Sequence, residues 1–169
     1  ATSSELSQYR FVHFATHGLL DSEHPELSAI LLTPLDQNRV EKNGLMALHD
    51  ICTLDLSAEL TVLSACQTAL GKDIKGEGLV GLTYSFMSAG SKSVVASFWK
   101  VDDQATASLM SDFYDSMLRQ GLPPVAALRA AKLKMMQDKR WNAPYYWAGF
   151  VFQGDYESHI NLKSNSNLC

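Results

Sequence analysis

Two short apolar runs, each stopping at a reactive side chain, constrain this chain more than anything else in it. Tyr9-Arg10-Phe11-Val12-His13-Phe14-Ala15-Thr16 leads into His17-Gly18, and Leu60-Thr61-Val62-Leu63-Ser64-Ala65 leads into Cys66. Both runs have the length and the β-branched or aromatic content of a buried strand. Joined through long connections, they suggest a parallel sheet. Functional groups in an open parallel sheet gather beyond the carboxyl ends of the strands. The sequence therefore offers an imidazole and a thiol at neighbouring strand ends, the pairing of a cysteine nucleophile with a histidine base.

The rest of the chain alternates between strand and helix patterns. Thr2-Ser3-Ser4-Glu5 has capping-box spacing and predicts a short leading helix. Residues 11–16 form the first strand, 21–27 a polar loop, and 29–32 a short strand stopped before Pro34. A charged turn over 36–43 closes at Gly44, and 45–56 holds a short helix. Residues 60–65 are the second main strand, and 71–78 a polar, glycine-rich loop. Leu79, Val80, Leu82, Thr83, Phe86 and Met87 make a helical stripe ended by Gly90. Residues 93–99 read as a third strand. Asp102 or Asp103 caps the next helix, which Gly121 closes. Pro123 and Pro124 open another, with Val125, Leu128 and Met135 on one side and Arg129, Lys132 and Lys139 on the other. Residues 146–152 read as the last strand. This alternation predicts an α/β sandwich over residues 1–157, with a polar tail over 158–169 and no internal repeat.

Bulk properties narrow the function classes. A chain of 169 residues with 46% hydrophobic content builds one ordinary domain with a real core. A net charge of -4 gives no support for nucleic-acid binding, which favours a basic patch. No apolar stretch approaches the ~20 residues of a membrane span. Three unevenly spaced cysteines make no disulfide framework, so a reducing, cytoplasmic setting is expected. The start at Ala1 suggests a piece of a longer protein or a processed product.

A thiol is only partly ionised at neutral pH, and a nearby imidazole raises the thiolate fraction. Cys66 and His17 are thus the catalytic candidates. The backbone N–H groups of Cys66 and Gly18 are candidates for an oxyanion site, where a side chain at position 18 would block close approach of a carbonyl. Against this stands the ordinary reading of Cys66 as a small buried hydrophobe. Other readings have less behind them. His13 and His17 are four apart, but Phe14 stands where the zincin pattern needs Glu, so a His13/His17/Cys66 zinc site is disfavoured. His13 is expected to be a packed or hydrogen-bonded core histidine. Ser64 lacks the glycine-flanked elbow of a serine hydrolase. The 71–78 segment lacks the Gly-Lys-Ser/Thr of a phosphate loop. Cys52 and Cys169 have no motivated histidine partner, and His24, His49 and His159 read as surface residues.

His13-Phe14-Ala15-Thr16-His17-Gly18 followed by Leu63-Ser64-Ala65-Cys66-Gln67-Thr68 resembles the CHAT family. This is the caspase-like domain often found beside tetratricopeptide repeats in bacteria. Gly76-Glu77-Gly78-Leu79, Gly81-Leu82 and Ala89-Gly90 resemble its next segment. Ser97-Phe98-Trp99-Lys100-Val101-Asp102-Asp103, Ala127-Leu128-Arg129-Ala130-Ala131 and Tyr146-Trp147-Ala148-Gly149-Phe150 follow in the same order. The resemblance implies a caspase-like three-layer sandwich with a mainly parallel sheet. It also implies a His–Cys dyad hydrolysing peptide bonds without zinc or organic cofactor, with His17 as base and Cys66 as nucleophile.

The resemblance implies more. Cys66 follows His17 by 49 positions, close to the ~50 that separates the pair in caspases. The strand after the nucleophile lies along the substrate there, which marks Ser97, Phe98 and Trp99 as substrate-binding. Asp102 and Asp103 would then select a basic side chain, although Asp at a helix start is ordinary capping and Lys100 argues for the opposite charge. Family members usually carry a further strand and helix ahead of the point where this chain begins. That piece is expected to have been cut away or trimmed, or to come from a companion polypeptide, with a tetratricopeptide-repeat regulator elsewhere. Two functions follow: a regulated cysteine endopeptidase acting on protein or peptide, and a catalytically silent caspase-like interaction domain.

Overall fold

A computed structural model describes residues 3–21, 24–34, 44–64, 66–70 and 77–156. They fall into two compact units, the first drawn from residues 1–100 with Gly149–Gly154, the second from Val101–Ala148 with the residues that follow Gly154.

The first unit opens with the short leading helix α1 (Ser3–Leu6) and is built on a four-stranded sheet. Its order is β1 (Phe11–Phe14), β5 (Leu60–Leu63), β7 (Ser93–Ser97) and β8 (Phe150–Gly154). The first three strands are parallel and β8 is antiparallel to β7. The mixed α/β class with a mainly parallel sheet is the one expected, and it is consistent with a caspase-like sandwich. The central strands β5 and β7 are buried at every position. That is why neither shows a regular alternation of apolar and charged residues, and why the polar residues they hold, Thr61, Ser93 and Ser97, are small.

On one face Thr61 and Leu63 line up with Val12, Phe14, Val94 and Ala96. Helix α3 (Glu77–Ser88) packs there through Leu79, Leu82 and Phe86, residues spaced three and four apart. Phe86 is fully buried, with its ring centroid 5.1 Å from that of Phe14. Burial of one such ring contributes about 1.5–3 kcal/mol. Gly90, at φ +108°, ends the helix, and the Ser91 N–H donates back to the Phe86 carbonyl.

A second sheet has the order β4 (Leu45–Ala47), β3 (Ala29–Leu31), β2 (His17–Asp21) and β6 (Cys66–Leu70). Here the structure departs from the expected single strands over 11–16 and 60–65. Each run breaks after four residues and resumes as a strand of the second sheet, β2 after β1 and β6 after β5. Position 66 thus opens a strand where it was expected to end one ahead of a loop. The short helix expected within 45–56 is α2 (Leu48–Cys52), and the residues just before it, Leu45–Ala47, pair with β3.

In the second unit, Asp102 caps α4 (Asp103–Tyr114) by accepting bonds from the N–H groups of Gln104 and Ala105 at 2.9 and 3.0 Å. A π-helical turn, Asp115–Arg119, extends it, and Gly121 at φ +71° follows. Helix α5 (Pro124–Gln137) opens on its proline and packs against α4. Ala105, Leu109, Phe113 and Met117 are buried on the first helix and its extension, and Leu128, Ala131 and Met135 on the second. The expected last strand over 146–152 begins later, at Phe150. Pro144–Tyr146 winds into a 3-10 turn in which the Tyr146 N–H bonds the Ala143 carbonyl and the Ala148 N–H the Pro144 carbonyl. These local bonds override the strand preference of Tyr145, Tyr146 and Trp147.

Candidate active site

The site is built by the two strand breaks. β1 and β5 pair up to Phe14↔Leu63, and β2 and β6 pair from His17↔Cys66. The same offset between the two chains holds on both sides of the break. His17 and Cys66 are therefore register partners on adjacent parallel strands, and Gly18 pairs with Gln67 one step further on. His17 is exposed and Gly18 buried. Gly18 lies inside β2, which has a paired strand on each side. β6 is the outer strand of its sheet among the described strands.

Just before the break, His13 Nε2 lies 2.7 Å from Ser64 Oγ. The hydrogen-bonded histidine expected at position 13 is present, but it is exposed and not in the core. Phe14 and Val12 turn towards α3, so by strand alternation His13 faces the other way. Enough protein surrounds the ring for lost hydration to push its pKa below the usual 6.5. From the sequence, His13 reads only as a core histidine or a disfavoured zinc ligand and Ser64 only as a disfavoured serine nucleophile; neither reading pairs the two. The available signal is their position, each a polar residue at the end of an apolar run that leads to His17 or Cys66.

Ser97 is buried, and its hydroxyl donates to the Trp99 carbonyl at 2.7 Å. Phe98 donates its N–H to the Gly149 carbonyl at 2.9 Å, and β7 ends at Ser97 rather than running to 99. The Trp99 ring lies against Gly149, where a Cβ would stand 2.8 Å from its Cε2. Ser97 and Gly18 line one small apolar hollow together with Leu20, Ile30, Leu63, Leu79 and Leu82. Asp102 and Asp103 belong to the second unit, where the Asp102 carboxylate is engaged in capping and Asp103 is exposed in the first helical turn. His24 and His49 are exposed beside Glu26 and Asp50, in line with the surface reading. Cys52 is exposed and unpaired with any other cysteine. Residues 71–76, most of the glycine-rich loop, lie outside the described residues, as do His159 and Cys169. No helix among the described residues is long and apolar enough to cross a membrane.

Residues 1–155 match the CHAT domain. The chain is 31% identical over 199 aligned residues to tetratricopeptide repeat protein 28 of Mus musculus, and equally so to that of Homo sapiens. Each alignment takes in 98% of this chain but 8% of the relative, so the chain spans about a twelfth of the length of these proteins. The motifs around His17, Cys66 and Phe150 thus sit inside one continuous match, and the chain belongs to the CHAT domain family, a caspase-like family associated with tetratricopeptide-repeat proteins.

Proposed function

We propose that this domain is a cysteine endopeptidase in which His17 and Cys66 act as base and nucleophile. The observation that carries the reading is the register pairing of these two residues at the first position of β2 and β6. Register partners on neighbouring strands stand about 5 Å apart at the backbone. An imidazole and a thiol starting from such positions reach one another, or one substrate, without rearrangement of the sheet.

In the proposed reaction His17 takes the Cys66 proton, and the thiolate attacks the scissile carbonyl carbon. The carbonyl electrons move onto oxygen. When the tetrahedral intermediate collapses, the C–N bond breaks and His17-H⁺ protonates the leaving amine. Water, deprotonated by His17, then hydrolyses the thioester and restores the thiol. The Cys66 N–H is the favoured oxyanion donor, since an outer strand directs alternate N–H groups away from its neighbour. Gly18 sits between two paired strands, so a donor role there requires its N–H to leave the ladder. Ser97, Phe98 and Trp99 line the proposed path of the substrate backbone. Asp102 is committed to its cap and is the weaker of the two acidic candidates for side-chain selection, leaving Asp103. A tetratricopeptide-repeat region is the proposed regulator, in line with the names of the relatives and with their much greater length.

The test is covalent labelling by a peptidyl electrophile, with the modified residue mapped by mass spectrometry. Modification of Cys66 that is lost in His17→Ala supports the peptidase. Labelling of Cys66 no faster than of Cys52 favours the silent interaction domain instead.

A further inference from the structure

The two breaks that carry the dyad are fastened to each other immediately upstream of it. β1 ends at Phe14 and β2 opens at His17, while β5 ends at Leu63 and β6 opens at Cys66, so each break is two residues long. Equal length is what lets the offset set by β1 and β5 pass unchanged to β2 and β6. Two bonds cross at the entrance to the breaks. The Ser64 N–H donates to the Phe14 carbonyl at 3.2 Å, and the Ser64 hydroxyl meets His13 Nε2 at 2.7 Å. The Thr16 hydroxyl donates to the Leu31 carbonyl and anchors the first break to β3. On the Cys66 side the bond from Ser64 to His13 is the corresponding side-chain anchor.

We propose that the His13–Ser64 hydrogen bond is a positioning clamp that holds the two strand breaks in step, so that His17 and Cys66 emerge opposite each other. The inference rests on the reading of His17 and Cys66 as a catalytic pair. His13 and Ser64 are positioning residues: they touch the chain that carries the dyad, not the substrate. The chemistry suits the task. A neutral imidazole has one donor and one acceptor nitrogen, and a hydroxyl completes a bond to either tautomer. The need for a clamp is physical. Register in a sheet is set by side-chain burial and by connections, and a slip of one residue moves each side chain to the other face. β6 is an outer strand, held by a neighbour on one side only among the described strands.

The experiment is the pH profile of Cys66 alkylation by iodoacetamide, followed by peptide mapping so that Cys52 and Cys169 are scored separately. Wild type, His17→Ala, Ser64→Ala, His13→Leu and His13→Gln are compared, each with its melting temperature. An isolated thiol titrates near ~8.5, and pairing with imidazole lowers this. Wild type is expected to react well below that range and His17→Ala to return to it. In Ser64→Ala and His13→Leu the Cys66 profile is expected to move most of the way back to that of His17→Ala. Alkylation at neutral pH then falls about tenfold for each pH unit that the profile moves. His13→Gln, whose amide reaches the Ser64 hydroxyl, is expected to restore the wild-type profile. A wild-type profile that His17→Ala leaves unchanged overturns the dyad and the clamp together. A profile sensitive to His17→Ala but unmoved in Ser64→Ala overturns the clamp alone. A loss in His13→Leu that tracks melting temperature and is not recovered in His13→Gln also overturns it. Ser64→Ala removes a single oxygen and serves if His13→Leu fails to fold.

Discussion

His17 and Cys66 are register partners on two parallel strands, at the same offset that pairs Phe14 with Leu63 in the neighbouring sheet. The distance between the two backbones is thus fixed by strand pairing, the stiffest constraint a sheet supplies, and not by a loop. This matters for a thiol–imidazole pair, because misplacement by about 1 Å costs on the order of 10²-fold in rate.

Replacement of either dyad member is expected to remove peptide cleavage. In the proposed mechanism Cys66→Ala deletes the attacking atom, and His17→Ala deletes the base that frees it. Each single change should cost on the order of 10⁴–10⁶ in kcat, and the double change hardly more, because residues that act as a unit are not additive. Turnover of a fluorogenic peptide by the three variants checks this. Undiminished cleavage by Cys66→Ala sinks the assignment.

The depressed pKa of His13 gives the fold a pH dependence of definite sign. Lost hydration of the ring, which neighbouring protein partly covers although the residue remains exposed, holds the folded-state value below 6.5, while the unfolded chain protonates near 6.5. Between the two values the unfolded state binds more protons, so this residue's contribution is full above 6.5 and falls as pH drops below it. Thermal melts at about pH 7.5 and about pH 5.5 should show a smaller difference for His13→Gln than for wild type. An equal difference in both proteins refutes the assignment to His13.

Gly149→Ala tests the contact made just beyond the end of β7. The added methyl would stand 2.8 and 3.0 Å from Trp99 Cε2 and Cδ2, and 3.2 Å from Ser97 Oγ. Overpacking of this kind costs about 1–3 kcal/mol. A lowered melting temperature with a shifted Trp99 emission is expected, the latter read in a variant whose other tryptophans are replaced by Phe. Unchanged emission would mean that the ring does not rest on Gly149.

In the second unit, the side-chain bonds from Arg140 hold the Asp138 carboxyl down at about 2, below its usual 3.8. The Arg140 backbone N–H, 2.9 Å from Asp138 Oδ1, adds to the effect. Arg140→Ala should raise the Asp138 value towards 3.8 in an NMR titration, though not fully, since the backbone bond survives. The pair is solvent-exposed, so the melting temperature should hardly move.

The sequence by itself determined the class of the fold and the two residues on which the proposed chemistry rests. The runs at 60–63 and 93–97, buried on both faces, announce central parallel strands because only small polar residues, Thr61, Ser93 and Ser97, interrupt their apolar content. Asp102, Pro124 and Gly90 mark helix ends by local bonds and backbone angles that need no distant partner. The resemblance across the motifs from His13 to Phe150 placed the chain in its family. Only the tertiary structure decided that both runs break and start again in a second sheet. Strand content extends through Thr16 and Ala65 in the sequence, and no local signal marks the interruption. The pairing of residues 45–47 with β3, and the winding of 144–146 into a turn, likewise depend on partners brought from elsewhere or on bonds that outcompete propensity. His13 and Ser64 are the clearest case. They are 51 positions apart, and their hydrogen bond exists only because two parallel strands set their ends side by side. Spacing within one strand predicts which face a residue takes, but contact between strands is a property of register, and register is settled by the whole sheet.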